Sequence, residues 1–298
     1  MRKMLWLLAL LCTAACDDSL EAAEACRLLA AHPDMGQTVN GKPVGVDLGA
    51  IDKSNAIREC RAAVTEAPGP ALKYMLARAL LAGQPTLAQG NEARHLSAEA
   101  VAEGYGFANL GLGYIASRIE PIDGAAAATY YLLAAKHGAK RARIAAGYAL
   151  LEAKNTSGRR EEGIRILEEE AKHIPAARLG IADFYWRQKD WQAVERVLLV
   201  AKDEGVKQAH LELARLYWVN TPLRDPMKAR DSAKKAVSAG FVDGYKTWVQ
   251  SYYFITNRPG DYYSALIVAR NGAKAGNAYS AYIAGRILAN GEGIEKDT

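Results

Sequence analysis

The sequence predicts an all-α chain, an α-solenoid of antiparallel helix pairs, and three observations carry that prediction. Asp123, Asp190, Asp225 and Asp261 each stand fifteen residues before a glycine, at Gly138, Gly205, Gly240 and Gly276. One interval recurring at a period of about 35 residues marks a stack of similar units rather than a single compact core. Small and apolar residues keep phase inside the interval. Ala127, Val194, Ala229 and Ala265 come first; Tyr131, Leu198, Ala233 and Ala269 follow; Ala134, Ala201, Ala236 and Gly272 lie nearest the glycine. Their offsets trace one face of a helix, and small residues there let a neighbouring helix approach closely. After each glycine a second helix carries a small residue and then a bulkier one three positions on: Gly147 and Leu150, Ala182 and Tyr185, Ala214 and Tyr217, Gly285 and Leu288. No segment alternates polar and β-branched residues at the period of a strand.

Each element follows from the same logic. The Asp of each interval predicts an N-cap, and the glycine a left-handed C′ residue where the chain leaves the helix. The unit at 139–174 lacks both signals and has Ile174 where the glycine would stand. Residues 1–15 read as a targeting segment: Arg2 and Lys3, a short apolar run from Leu5 to Leu11, then the small residues Thr13, Ala14 and Ala15. That run is too short to cross a membrane. Its removal leaves a net charge of +3 from +5. Residues 16–25 read as a polar tether and 26–67 as an N-terminal helical cap with a long loop. Pro33, Gly36, Asn40-Gly41, Pro43, Gly45 and Gly49 make 32–50 loop-like. Residues 68–298 hold six to seven helical repeats. The last is incomplete, since Asp297 stands where its next helix should begin; the exposed end is a self-cap, a truncation or a seat for a partner helix.

Cys12 leaves with the leader. With Cys16 lipidated, Cys26 and Cys60 form one even pair on two predicted helices, and a structural disulfide between them is expected in an oxidising compartment. Neither a CxxC nor a cluster of cations lowers a thiol pKa there, which argues against a redox pair.

The segment Ser280-Ala281-Tyr282-Ile283-Ala284-Gly285-Arg286-Ile287-Leu288-Ala289-Asn290-Gly291-Glu292-Gly293-Ile294 resembles the first half of a Sel-one-like repeat, a relative of the tetratricopeptide repeat with a slightly longer loop. Gly104 to Gly113 and Lys207 to Tyr217 follow the helix pattern without the Gly-x-Gly that closes it in 291–293. The resemblance covers 68–298 and implies a right-handed solenoid that binds partners on a concave face. Thr13-Ala14-Ala15-Cys16 resembles a bacterial lipobox, which implies lipidation at Cys16 and a membrane-anchored periplasmic protein; cleavage after Ala25 is the alternative.

The chemistry-bearing residue types form no catalytic signature. His32, His95, His137, His173 and His210 include no HExxH, and there is no GxSxG elbow or phosphate-binding loop. Gly291 and Gly293 follow a helix rather than a strand, so they are not a dinucleotide fingerprint. No catalytic residue, cofactor or metal ligand is assigned. Charge of mixed sign throughout excludes a basic stripe tracking a nucleic acid. The candidate surface is aromatic. Adjacent residues of Phe184-Tyr185-Trp186 point about 100° apart on a helix and cannot all face one core. Tyr185 and Tyr217 are expected in the core, and Trp186 and Trp218, in register one repeat apart, on the concave face. Tyr253 and Phe254 join them as partner-binding candidates. The expected function is a non-catalytic scaffold, adaptor or regulator that binds a protein partner in the cell envelope. The alternatives are glycan binding and an inhibitor or immunity lipoprotein directed at a secreted enzyme.

Overall fold

The computed structural model describes residues 21–119, 121–153, 157–254 and 259–292. The predicted leader, Cys16 and Asp297 lie outside the described residues. The chain divides into two compact units, one up to Ile166 and one from Leu167. The division falls in the repeat that lacks both the capping Asp and the closing glycine.

The first unit opens with α1 (21–30), already helical where the polar tether was expected. Ala22 and Ala23 are buried, so these residues belong to the cap. The loop after it holds two 3-10 turns, Pro33–Met35 and Leu48–Ala50, and a two-stranded antiparallel ribbon, β1 (Thr38–Val39) and β2 (Lys42–Pro43). Asn40 and Gly41 join the strands with φ of 51° and 73°. Asn-Gly is the pair that tolerates two successive positive φ values in a tight hairpin. There follow α2 (Lys53–Glu66), α3 (Pro70–Leu81), α4 (Leu87–Ala102), α5 (Asn109–Arg118), α6 (Gly124–Lys136) and α7 (Ala142–Glu152). The division falls along α8 (Ser157–Ala171). The second unit runs α9 (Arg178–Arg187), α10 (Trp191–Asp203), α11 (Gln208–Trp218), α12 (Pro226–Ser238), α13 (Gly244–Tyr253), α14 (Pro259–Lys274) and α15 (Ala278–Asn290). Within each unit consecutive helices pack on one another, and the fold is all-α helix pairs as the sequence predicts.

The repeat signals act as expected at three of four positions. Asp123 Oδ1 accepts from the N–H groups of Ala125 and Ala126 at 2.9 and 3.0 Å. Asp190 caps α10 through Ala193 N–H, and Asp225 caps α12 through Met227 and Lys228. Asp261 differs. Helix α14 already begins at Pro259, so Asp261 lies in its first turn. A proline at the first helical position is well tolerated because its missing N–H would have no partner there. An acidic group in that turn still complements the helix dipole.

All four predicted glycines are left-handed, with φ between 86° and 95°. Each closes its helix with the paired bonds of a Schellman motif: Val206 N–H reaches Ala201 O at 2.9 Å while Gly205 N–H reaches Lys202 O at 3.0 Å. Gly104 makes the same closure on α4, with Tyr105 N–H on Ala100 O, although no Asp stands fifteen residues before it. Its helix is sixteen residues long and is capped instead by a Thr86–Gln89 capping box.

The in-phase residues form the core. Ala127, Ala134, Val194, Ala201, Ala229, Ala233, Ala236, Ala265 and Ala269 are wholly buried. Gly272 leaves no room for a side chain, since a Cβ there would lie 2.4 Å from Ser280 Oγ. In the cap, Cys26 and Cys60 are joined by a disulfide and both are fully buried beside Met75.

Two predictions test these devices. Gly240→Ala meets no neighbour within 4 Å, so its cost is purely the left-handed backbone, about 1–2 kcal/mol. A denaturant midpoint that moves by less than the fitting error would show that the chain relaxes there instead. Reducing Cys26–Cys60, which spans 34 residues, should lower stability by up to about 4 kcal/mol. The check is thermal unfolding with and without reductant, with the double Cys→Ala variant as reference.

Candidate functional site

The second unit holds a cavity of about 240 Å³ between α9, α10 and α11. Its floor is Ala182, Val194 and Leu198, core residues that the helix phase places there. Trp186 forms one wall, and Asp183, Gln208, Glu212 and Arg215 form the polar rim. The site therefore grows from the repeat itself. Two helices of one pair and the first helix of the next leave a notch above their shared core.

The arrangement is electrostatically mixed. The Arg215 guanidinium lies 5.5 Å from the Trp186 ring centre and donates to Glu212 Oε2 at 2.9 Å. Arg187 pairs with Asp183 one turn away on α9. Trp191 meets the Trp186 ring edge-on at 5.4 Å. A cation over an indole face contributes about 0.5–1 kcal/mol where solvent reaches it. Exposed i,i+3 and i,i+4 ion pairs contribute still less. The rim is thus weakly self-satisfied and can exchange its partners. Behind it, Arg178 donates two bonds of 2.6 Å to the Glu204 carboxylate, and this holds Glu204 below the usual carboxylate range.

The sequence candidates separate. Trp186 is half-buried and lines the cavity. Trp218 is also half-buried, but it packs against the core under Arg224 and does not line the same notch. Phe254 is 55 % exposed at the end of α13. Tyr253 is a correction. It is 7 % exposed and packs against Val249, Tyr262 and Ile283, so its ring serves the core rather than a partner. Burial, with the Glu292 carboxylate beside it, pushes its hydroxyl up to about 12. Tyr217 is buried as expected and donates to Glu195 at 2.7 Å, while Tyr185 is only half-buried.

Asp183, Gln208, Glu212 and Arg215 were not singled out from sequence. The signal existed: Gln208, Glu212 and Arg215 recur at offsets of four and three, one face of α11, and Asp183 lies one turn before Trp186. Among the described residues, no cluster of three His, Cys, Asp or Glu side chains is placed to hold a metal.

Solved structures share this architecture. A Sel1 repeat protein from Oxalobacter formigenes matches over 99 % of this chain and 84 % of its own, with a TM-score of 0.55 at 19 % identity. A protective antigen of uropathogenic Escherichia coli strains, described as displaying an SLR fold, is more distant. It gives a TM-score of 0.46 and 17 % identity over 86 % of this chain and 56 % of its own. No protein-family model and no curated protein matches the chain. The likeness establishes the Sel1-type repeat fold.

The raised Tyr253 hydroxyl makes a pH prediction. A group whose folded pKa is raised stabilises the fold fully below its unfolded value, about 10, and that contribution is lost as pH climbs through about 12. Tyr253→Phe removes it. Between about pH 9 and 11.5 the variant's unfolding midpoint should therefore fall less than the parent's. Parallel decline of the two curves would mean that the hydroxyl ionises freely in the fold.

Proposed function

We propose that the chain is a non-catalytic interaction scaffold that takes a protein partner at the Trp186 notch of its second unit. Stacked helix repeats generally serve as extended binding surfaces, and the Sel1-type fold places this chain among such architectures. One observation carries the choice of place: an open cavity in which a half-buried tryptophan meets two carboxylates and an arginine. A Trp with an apolar floor and a polar, exchangeable rim has the make-up of a binding hot spot.

Glycan binding is the weaker reading. A sugar needs a bare ring face for stacking, and the Arg215 guanidinium already lies over the indole. A protein partner can exchange that cation for its own Arg or Lys, or draw Arg215 away with a carboxylate. The leader, the lipobox-like Thr13-Ala14-Ala15-Cys16 and the buried disulfide support placement in the bacterial envelope, tethered through lipidated Cys16. There the role is that of adaptor, regulator or inhibitor.

The test is crosslinked affinity capture from the envelope of the producing cell, read by mass spectrometry, with parent, Arg215→Ala and Trp186→Ala chains. Arg215 is exposed, so its removal leaves the fold intact. A specific partner should fall at least about tenfold in both variants. Retention of the same partner by both would move the binding surface elsewhere. Release of sugar rather than protein would favour the glycan reading.

A further inference from the structure

The first unit contains a second cavity that the notch in the second unit does not explain. It measures about 250 Å³ and is overhung by the N-terminal cap. Arg78, His32, Asp47, Tyr74, Tyr114 and Tyr131 line it, and Leu48, Leu81 and Leu110 supply its apolar wall. Arg78 is the unusual member. It sits on α3 and is 3 % exposed, and its guanidinium donates to the main-chain carbonyls of Ala30 and Val46. Those bonds hold the cap down, but they carry no negative charge. Among the described residues no carboxylate forms an ion pair with it. Desolvation pulls its pKa down, yet an arginine stays charged at any ordinary pH. A buried cation whose one facing carboxylate, Asp47, lies out at the exposed rim is only partly compensated, and that is costly.

The surroundings show what could supply the charge. His32 does not, because its Nδ1 accepts the Asp34 N–H at 3.0 Å and burial pulls its pKa down, leaving it neutral. Asp47 stands at the rim, exposed and screened by solvent. With Arg78 the one Lys or Arg in the lining, a phosphate dianion would stay under-neutralised there. Tyr131 is occupied with Ser117, 3.2 Å away. Behind Gly111 in the cavity wall, Ser97 Oγ is fully buried and has no hydrogen-bond partner. The cavity thus offers one buried cation and a wall of tyrosine and leucine. Its volume is below the usual 300–1,000 Å³ of a drug-sized pocket, so its ligand is small.

We propose that this cavity binds a small apolar monocarboxylate, with the carboxylate against Arg78 and the hydrocarbon or aromatic body along Leu48, Leu81, Leu110 and the tyrosine rings. The site is independent of the Trp186 notch, and neither reading needs the other.

The experiment is calorimetric titration of the full chain with hexanoate and 3-phenylpropionate, beside the matched alcohols 1-hexanol and 3-phenyl-1-propanol and the matched amines. At least one acid should bind saturably, one per chain, about tenfold or more tighter than its alcohol, and the amines should not bind. Leu110→Trp fills the cavity without touching Arg78 and should abolish binding while the melting transition persists. Arg78→Gln should weaken binding about tenfold, and if it loosens the cap the acid–alcohol comparison in the parent still decides. Acid and alcohol binding equally, neither acid binding, or binding undiminished in a folded Leu110→Trp chain would each overturn the proposal.

Discussion

Where a helix closes on a left-handed glycine the chain must reverse direction and admit a neighbour at the same place, and one small residue at the helix end serves both demands. In α6, α10 and α12 the residue that accepts the outer bond of the Schellman closure is an alanine with no exposed surface: Ala134, Ala201 and Ala236. Gly272 takes the same role in α14, and Ala100 in α4. A larger side chain would push the next helix away, and without the left-handed glycine the carbonyl would lose its partner. The turn and the packing distance are therefore specified together. The unit missing the signal, at 139–174, coincides with the division between the compact units.

This coupling also explains what could be read from the sequence. The interval from Asp to Gly reports local backbone needs, and local needs are legible: three N-caps, four closures and nearly all in-phase core positions stand where they are expected. The fifth closure, at Gly104, escaped because its helix is capped by Thr86 and is longer, so the spacing fails although the physics is unchanged. Asp261 was misplaced for the complementary reason. Pro259 can open a helix without any capping side chain, and it takes the start two residues upstream. The tether assignment failed at 21–25 because Ala22 and Ala23 look like spacer residues until a core exists for them to enter.

The aromatic candidates were harder, since their fate depends on neighbours distant in sequence. Tyr253 and Phe254 are adjacent and chemically alike. One is closed in by Tyr262 and Ile283 while the other faces solvent, and nothing in their own tetrapeptide distinguishes them. Trp186 and Trp218 share a repeat position, yet Trp186 lines the notch and Trp218 does not, because Gln208, Glu212 and Arg215 rise beside Trp186 from the next helix. Register relates the two positions, while the notch itself is completed by side chains one helix away.

Cations cover the rings throughout the second unit. Arg224 lies over Trp218, Lys228 over Tyr217, Arg230 over Tyr252, Lys234 over Trp248 and Arg286 over Tyr253, as Arg215 lies over Trp186. Each contact is weak where water reaches it, as at the half-buried rings of Trp186, Trp218, Trp248 and Tyr252, whereas Tyr217 and Tyr253 are buried beneath theirs. Displacing Arg215 bares the Trp186 ring face and frees a charge at once. A partner that offers an apolar group alone would gain the ring and strand the arginine. One that offers an apolar group next to a carboxylate satisfies both. On the proposed reading, displacing Arg215 therefore favours a segment that offers a carboxylate beside its apolar group.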